Sequence, residues 1–294
     1  MTPSPIFPSA PSVWQQRRVI AYAHQGGAWE GPSSTLHTIA AALEAGATGI
    51  ELDVHATSDG HLVVCHDATV DRTSAASGPI ASFTYDELTR LDNAHWWAPG
   101  ADVSPGLADD AYPFRGRAPH DHRFGFALLD EVLSEFTGVV FNLDIKQTAP
   151  VVTPYEETLA ELLRAHDCAD RVIVASFLDT ATDNFSAYAP EFATSAGTVA
   201  TAEFYRAVQA HETPPALRHV ALQVPAAFGD VVLVDARFVE VAHDCGLAVH
   251  VWTVEEETQM EELCALGVDG IITDRPSALV GVLERLGCAW TPGG

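Results

Sequence analysis

Positive charge is what this chain has least of. Its 15 Lys and Arg stand against 40 Asp and Glu, for a formal net charge of -25. Nucleic acids and anionic membrane surfaces are gripped by clustered Lys and Arg, so neither is an expected partner. Cysteine is also scarce: Cys65, Cys168, Cys245, Cys264 and Cys288 are odd in number, scattered, and include no C-x-x-C. That pattern argues against a disulfide framework or structural zinc site and for a reducing compartment. No apolar run approaches the roughly 20 residues of a bilayer span, so stable membrane insertion is not expected. The start, MTPSPIFPSAPSVWQQRR, lacks the basic-then-apolar order of a signal peptide. Residues 1–17 therefore read as a flexible lead-in, and the expected location is cytoplasmic.

What the chain does have is apolar content, 47% of 294 residues, enough for one large core. A unit recurs in which a helical stretch, a Gly, a short apolar strand and a polar residue follow one another: AGATGIELD, CGLAVHVWT, LGVDGIITD. Such alternation implies parallel strands with helices packed outside. Nine strand candidates emerge. The link after Asp53 is too short for a helical crossover, so Leu62 to His66 reads as the returning arm of a hairpin. Eight remain, which predicts a single α/β domain, a (β/α)8 barrel of the TIM type over 18–288. The hairpin would sit at its C-terminal mouth. Residues 93–127, rich in Pro, Gly and aromatics, read as an irregular lid-like loop, and 289–294 as a tail.

The stretch TGIELDVHATSDGHLVVCHD, from Thr48 to Asp67, concentrates the chemistry. Side chains alternate along a strand, so Glu51 and Asp53 share a face. The chain turns at Ser58-Asp59-Gly60 and returns to deliver His66. In such barrels the reactive groups lie where strands end at the C-terminal face. The polar strand ends here are His24, Glu51/Asp53, Asp144/Lys146, Ser176, Gln223, Trp252 and Asp274. Ionised acids on strands of Val, Ile, Leu and Ala are costly unless paired or metal-bound. Glu51, Asp53 and Asp144 suit one hard divalent cation, Mg²⁺ or Ca²⁺. The bland alternative is an ion-pair cluster around Lys146 with no metal. His24 and His66 fit paired general acid and base, since imidazole titrates near neutral pH; His55, on the face of Asp53, is the runner-up. His120-Asp-His122 has the H-x-H form of some zinc sites but falls in the irregular loop.

These residues, taken in order, resemble a known family. His24-Gln-Gly-Gly, Pro32-Ser-Ser-Thr35-Leu, Gly49-Ile-Glu-Leu-Asp-Val, Val63-Val-Cys-His-Asp67, Asn142-Leu-Asp-Ile-Lys146, Ser176-Phe, Val251-Trp-Thr and Thr273-Asp-Arg-Pro resemble the glycerophosphodiester phosphodiesterases from about Ile20 to Leu286. The resemblance implies a phospholipase C-like barrel and a small phosphodiester substrate, split to glycerol 3-phosphate and an alcohol. It implies a divalent metal on Glu51, Asp53 and Asp144, with His24 and His66 as the acid/base pair. In relatives the attacking hydroxyl is thought to be the substrate's own neighbour, giving a cyclic phosphate that water opens. Gln25, Lys146 and Gln223 are the candidates for phosphate and substrate contacts, and Trp252 for the alcohol side. Three positions depart from the family pattern. Gln25 stands where Arg is usual, Ser33-Ser34 where Glu-Asn is usual, and Asp144 where Glu is usual. If the lost Arg and Glu pair in relatives, Gln25 and Ser33 must touch here. Alternative readings are a phosphodiesterase of lysophospholipid or sphingolipid head groups, with an apolar groove beside Trp96 and Trp97, a weakened phosphodiester-binding protein, or a zinc hydrolase barrel.

Overall fold

The computed structural model describes residues 12–101 and 103–291. The strands in chain order are β1 (Ile20–His24), β2 (Gly49–Ala56), β3 (Leu62–Val64), β4 (Val140–Ile145), β5 (Val172–Ala175), β6 (Ala193–Thr194), β7 (Ala221–Pro225), β8 (Ala227–Phe228), β9 (Val231–Val232), β10 (Ala248–Trp252) and β11 (Gly270–Thr273). Eight of them run parallel in the order β6-β5-β4-β2-β1-β11-β10-β7. A parallel bridge from Ser195 to Ala221 and the bond from Ala196 N–H to Ala221 O (3.0 Å) bring the two ends together. The result is the expected (β/α)8 barrel. β3 lies antiparallel to β2, with His55 opposite Val63, so the hairpin forms as the short link requires. The small hairpin β8–β9 was not anticipated; its four residues sit between strand and helix with no alternating pattern to mark them.

Ten helices are described, of which α1 (Val13–Gln16), α2 (Leu36–Glu44), α3 (Tyr85–Leu88), α4 (Leu129–Glu135), α5 (Glu156–Ala165) and α6 (Asp179–Tyr188) belong to the first half. The second half has α7 (Thr198–Ala210), α8 (Ala236–Asp244), α9 (Glu257–Leu266) and α10 (Pro276–Leu286). Local chemistry sets their starts. Thr84 and Glu87 make a reciprocal capping box on α3, and Asp235 accepts from Phe238 N–H to cap α8. Thr35 caps α2 by accepting from Thr38 N–H, while Ser34 is held at φ 57 in the turn before it. Leu36 and Ile39 of α2, Leu52 and Val54 of β2 and Leu159 and Leu163 of α5 are fully buried in one half-core. Phe204, Phe238, Val249 and Leu279 anchor the other. Each such side chain contributes roughly 1.5–3 kcal/mol of burial.

Residues 1–11 of the expected lead-in lie outside the described residues. Residues 12–17 are not loose: Ser12 caps α1, and Trp14, 3% exposed, joins Ile20, Tyr22, Val140 and Ile272 at the inner barrel. Of the expected tail, Trp290 packs with this same cluster, and residues 292–294 lie outside the described ones. The described residues of 93–127 hold two short 3-10 turns, and Phe114 and Phe124 pack with each other and with His37. Trp97 donates to Ala28 O, Phe114 stacks on Trp97, and Phe124 is buried. No helix among the described residues is long and apolar enough to cross a membrane.

The inner barrel also carries a buried imidazole. His250 is fully buried against Tyr22, and a Cβ at Gly270 would come within 2.9 Å of its ring, which is why only glycine fits there. Neither ring nitrogen has a hydrogen-bond partner, and burial pushes its pKa down to about 4. The unfolded chain, with an ordinary histidine value of about 6.5, binds that proton more readily. Stability is therefore whole above pH 6.5 and falls as pH drops toward 4. Urea unfolding at pH 7.5 and 5.0 checks this. The loss between the two should be about 2 kcal/mol smaller in His250→Leu than in the unaltered chain. Equal losses would show that His250 does not couple folding to protons.

Candidate active site

A cavity of about 670 Å³ opens at the C-terminal ends of the strands. His24, Glu51, Asp53, His66, Asp144, Lys146, Gln223 and Trp252 all line it, brought there from β1, β2, β3, β4, β7 and β10 and their following turns. Parallel register explains the gathering. His24 pairs with Glu51 across β1 and β2, and Asp53 with Asp144 across β2 and β4, so their side chains leave the sheet on one face. Cys65 N–H bonds to Asp53 O at 3.0 Å, which extends the hairpin by one residue and sets His66 beside the acids.

The two imidazoles face each other edge to plane with ring centroids 6.1 Å apart. Each is held from behind by a carboxylate: His24 Nδ1–H donates to Asp274 Oδ1 at 2.6 Å, and His66 Nδ1–H to Asp67 Oδ1 at 2.6 Å. Each ring thereby turns its Nε2 away from that carboxylate, and His24 Nε2 meets the Gln25 amide nitrogen at 3.2 Å. Burial alone would lower the His24 pKa. The Asp274 hydrogen bond and the nearby Glu51, 3.8 Å from Nε2, outweigh it and lift the value to about 9.

Glu51, Asp53 and Asp144 are 5%, 2% and 7% exposed. Burial, then the neighbouring Asp53, pushes Glu51 up to about 8 and Asp144 up to about 6. Lys146, the chain's single lysine, sits 3.0 Å from Asp53 Oδ1 and 3.6 Å from Asp144 Oδ2. Burial opposes its charge, but the two acids prevail and hold its pKa well above the ordinary value. This is the ion-pair cluster of the bland reading. Among the described residues no three His, Cys, Asp or Glu side chains already converge as a metal shell. Asp53 Oδ2 and Asp144 Oδ1 nonetheless remain buried without a hydrogen-bond partner. Three oxygen donors with two unsatisfied buried atoms fit a hard divalent cation in type and charge.

Gln25 is the one expected site residue that does not line the cavity. It follows His24 at φ 52 in a tight turn continued by Gly26 and Gly27; a Cβ at Gly27 would meet the Pro276 ring at 2.8 Å. Its backbone N–H donates to Glu51 Oε2 at 3.2 Å, and its amide nitrogen lies 3.2 Å from His24 Nε2. Ser33 Oγ donates to Gln25 Oε1 at 2.5 Å, so the two departures from the family pattern do touch. Arg72 joins them: its Nη2 donates to Gln25 Oε1 at 3.0 Å, and its Nε lies 3.1 Å from Asp67 Oδ1. Sequence reasoning left Arg72 out, since nothing marks one arginine in a polar loop. Asp67 and Asp274 were visible in the motifs, but their grip on the histidines was not.

Gln223 faces the cavity with its amide committed to Asn142, by two bonds of 3.0 Å across the barrel. His55 does not line the cavity and lies 3.4 Å from the backbone carbonyl of His66. His122 pairs with Glu131 at 3.0 Å on the surface. The apolar wall is not beside Trp96 and Trp97, which do not line the cavity: Trp96 Nε1–H donates to Ser74 O and stacks edge-on to Tyr112, and Trp97 Nε1–H donates to Ala28 O and stacks on Phe114. It is formed instead by Phe177, Tyr205, Phe228, Leu233 and Trp252, and no described residue of 93–127 joins the lining.

The model of the glycerophosphoryl diester phosphodiesterase family matches residues 24–278. A glycerophosphodiester phosphodiesterase of Caldanaerobacter subterraneus is 29% identical over 92% of this chain and 100% of its own length. The corresponding domain of a Mycobacterium tuberculosis protein shares the fold with a TM-score of 0.74 at 19% identity, covering 91% of this chain and 98% of that one. An Oleispira antarctica phosphodiesterase, solved with sn-glycerol-3-phosphate as product, superposes with a TM-score of 0.70 at 22% identity, over 91% and 96% of the two chains. With its motifs, barrel and family match spanning the same residues, the chain belongs to the glycerophosphoryl diester phosphodiesterase family.

Proposed function

We propose that this chain hydrolyses glycerophosphodiesters to glycerol 3-phosphate and an alcohol, using His24 and His66 as its acid/base pair. The observation that carries the reading is the placement of two carboxylate-backed imidazoles, 6.1 Å apart, over an acid and lysine cluster in one cavity. That gap lets one phosphate group stand within reach of both rings. A hydroxyl of the glycerol, next to the phosphate, bonds to phosphorus and gives its proton to one imidazole. The bond from phosphorus to the leaving alcohol breaks as the other imidazole donates its proton to that oxygen. Water then opens the cyclic phosphate with the two roles exchanged. Asp274 and Asp67 keep the rings oriented through both steps.

Glu51, Asp53 and Asp144 would hold one Mg²⁺ or Ca²⁺, whose charge would offset that of the phosphate. Lys146, between two of these acids, is positioned to turn toward a phosphate oxygen. Trp252 stands on the alcohol side, with Phe177 set edge-on at 5.5 Å.

The test is release of glycerol 3-phosphate from a panel of polar glycerophosphodiesters, with added Mg²⁺ or Ca²⁺ and with EDTA. Turnover that EDTA abolishes and either cation restores is the expected result. Full turnover in EDTA would remove the metal from the scheme, and no glycerol 3-phosphate from any substrate would remove the activity.

A further inference from the structure

One guanidinium is tied to the supports of both histidines. Arg72 does not line the cavity; it follows His66 in a turn. That turn is pinned by Val70 N–H to Gly78 O at 3.0 Å, by Ile80 N–H to Ala68 O at 2.9 Å and by the fully buried Val70 side chain. Beside Arg72, Thr73 Oγ1–H donates to Asn93 Oδ1 at 2.5 Å, and Asn93 Nδ2–H donates to the Ser33 carbonyl at 3.2 Å. The turn carrying Arg72 is thus fastened to the segment carrying Ser33, and its guanidinium has little freedom to wander, with the side chain 19% exposed.

On one side Arg72 Nε lies 3.1 Å from Asp67 Oδ1, the same oxygen that accepts from His66 Nδ1–H at 2.6 Å. Asp67 is 33% exposed, so water competes for its carboxylate, and a charged donor on Oδ1 holds it toward the ring. On the other side Arg72 Nη2 donates to Gln25 Oε1 at 3.0 Å, where Ser33 Oγ–H also donates at 2.5 Å. The Gln25 amide nitrogen then faces His24 Nε2 at 3.2 Å. Arg72, not Ser33, decides which end of that amide meets the ring. A serine hydroxyl donates or accepts and suits the amide either way round, whereas a guanidinium only donates and demands the oxygen. Turned over, the amide would set its carbonyl oxygen against Nε2 and hold the proton that this nitrogen must trade with the substrate.

We propose that Arg72 is a positioning residue for both imidazoles, orienting the carboxylate behind His66 and fixing the Gln25 amide beside His24. The proposal rests on the acid/base reading of His24 and His66 given above. Arg72 acts through Asp67 and Gln25 from outside the cavity lining, so it should govern the rate of the bound substrate rather than its binding. Lysine is a poor substitute, because a point-like ammonium on a flexible stem does not reproduce a planar fork that spans two acceptors.

The experiment measures glycerol 3-phosphate release from glycerophosphocholine by the full chain, in buffer with added Mg²⁺ or Ca²⁺, with thermal melting to follow the fold. Arg72→Ala should lower kcat about 10- to 100-fold with KM changed little, the size of loss that small misplacements of reacting groups produce. Arg72→Lys, which keeps the charge and serves as the comparison should the alanine variant not fold, should fall between parent and Arg72→Ala. With Gln25→Leu and Asp67→Asn combined, both routes are already cut, and adding Arg72→Ala should cost less than about twofold more. A parental kcat in Arg72→Ala or Arg72→Lys would overturn the positioning role. So would a loss carried by KM, or a full further loss in the combined background, since either would mean that Arg72 acts on the substrate directly. If His24→Asn and His66→Asn also kept the full rate, the acid/base reading itself would fall; if the Arg72 variants alone did, that reading would stand without Arg72.

Discussion

Asn in place of His24, or of His66, should lower kcat by about 10²- to 10⁴-fold with KM changed little, as expected when a positioned proton carrier is removed. Each imidazole presents Nε2 to the cavity because its Nδ1–H is bonded to a carboxylate at 2.6 Å. Asn keeps a donor near the Nδ1 position, so Asp274 or Asp67 retains a partner and the fold should persist. The two losses should not add in the double variant, since both rings serve the same proton transfers. Steady-state kinetics on a glycerophosphodiester, with circular dichroism to confirm folding, measures this. A variant that keeps the full rate would strike that histidine from the mechanism.

The second large effect belongs to Lys146. Its replacement by Met leaves Asp53 and Asp144, with side chains 2% and 10% exposed, without their cation. Breaking a buried ion pair from one side costs about 3–5 kcal/mol, and urea unfolding of Lys146→Met should show a loss of that order. Divalent cation should then restore much of it. Binding to the folded state alone contributes about 2.7 kcal/mol at a hundredfold excess over Kd. The comparison of Lys146→Met with and without Mg²⁺ or Ca²⁺ thus reads metal binding by stability, with no recourse to turnover. A variant as stable as the parent would mean that Lys146 does not hold the acids. One that no divalent cation rescues would leave Glu51, Asp53 and Asp144 without a metal to hold.

Much of the site was legible in the chain because barrels turn local patterns into global ones. A strand that alternates apolar and acidic residues, GIELDV, must send Glu51 and Asp53 the same way, and a barrel sends all strand ends to one rim. That geometry makes His24, Glu51, Asp144, Lys146, Gln223 and Trp252 neighbours without any knowledge of packing. The turn at Ser58-Asp59-Gly60 likewise announced the return of His66, since so short a link between β2 and β3 cannot hold a helical crossover.

What stayed hidden depends on contacts between loops, which no period encodes. Arg72 reaches Gln25 across 47 positions, and Asp274 reaches His24 across 250. Gln25 and Ser33 meet only because three successive left-handed residues, Gln25, Gly26 and Gly27, fold the chain back on itself. The aromatic loop at 93–127 drew attention by composition, but none of its described residues lines the cavity, while a hairpin of four unremarked residues adds Phe228 to the apolar wall. The sequence by itself determined the barrel, the rim and the identity of the charged cluster, because strand alternation and parallel pairing are local rules. Only the tertiary structure decided which loops close over that rim, what orients its histidines, and where its one apolar wall stands, because those outcomes are settled by long-range packing.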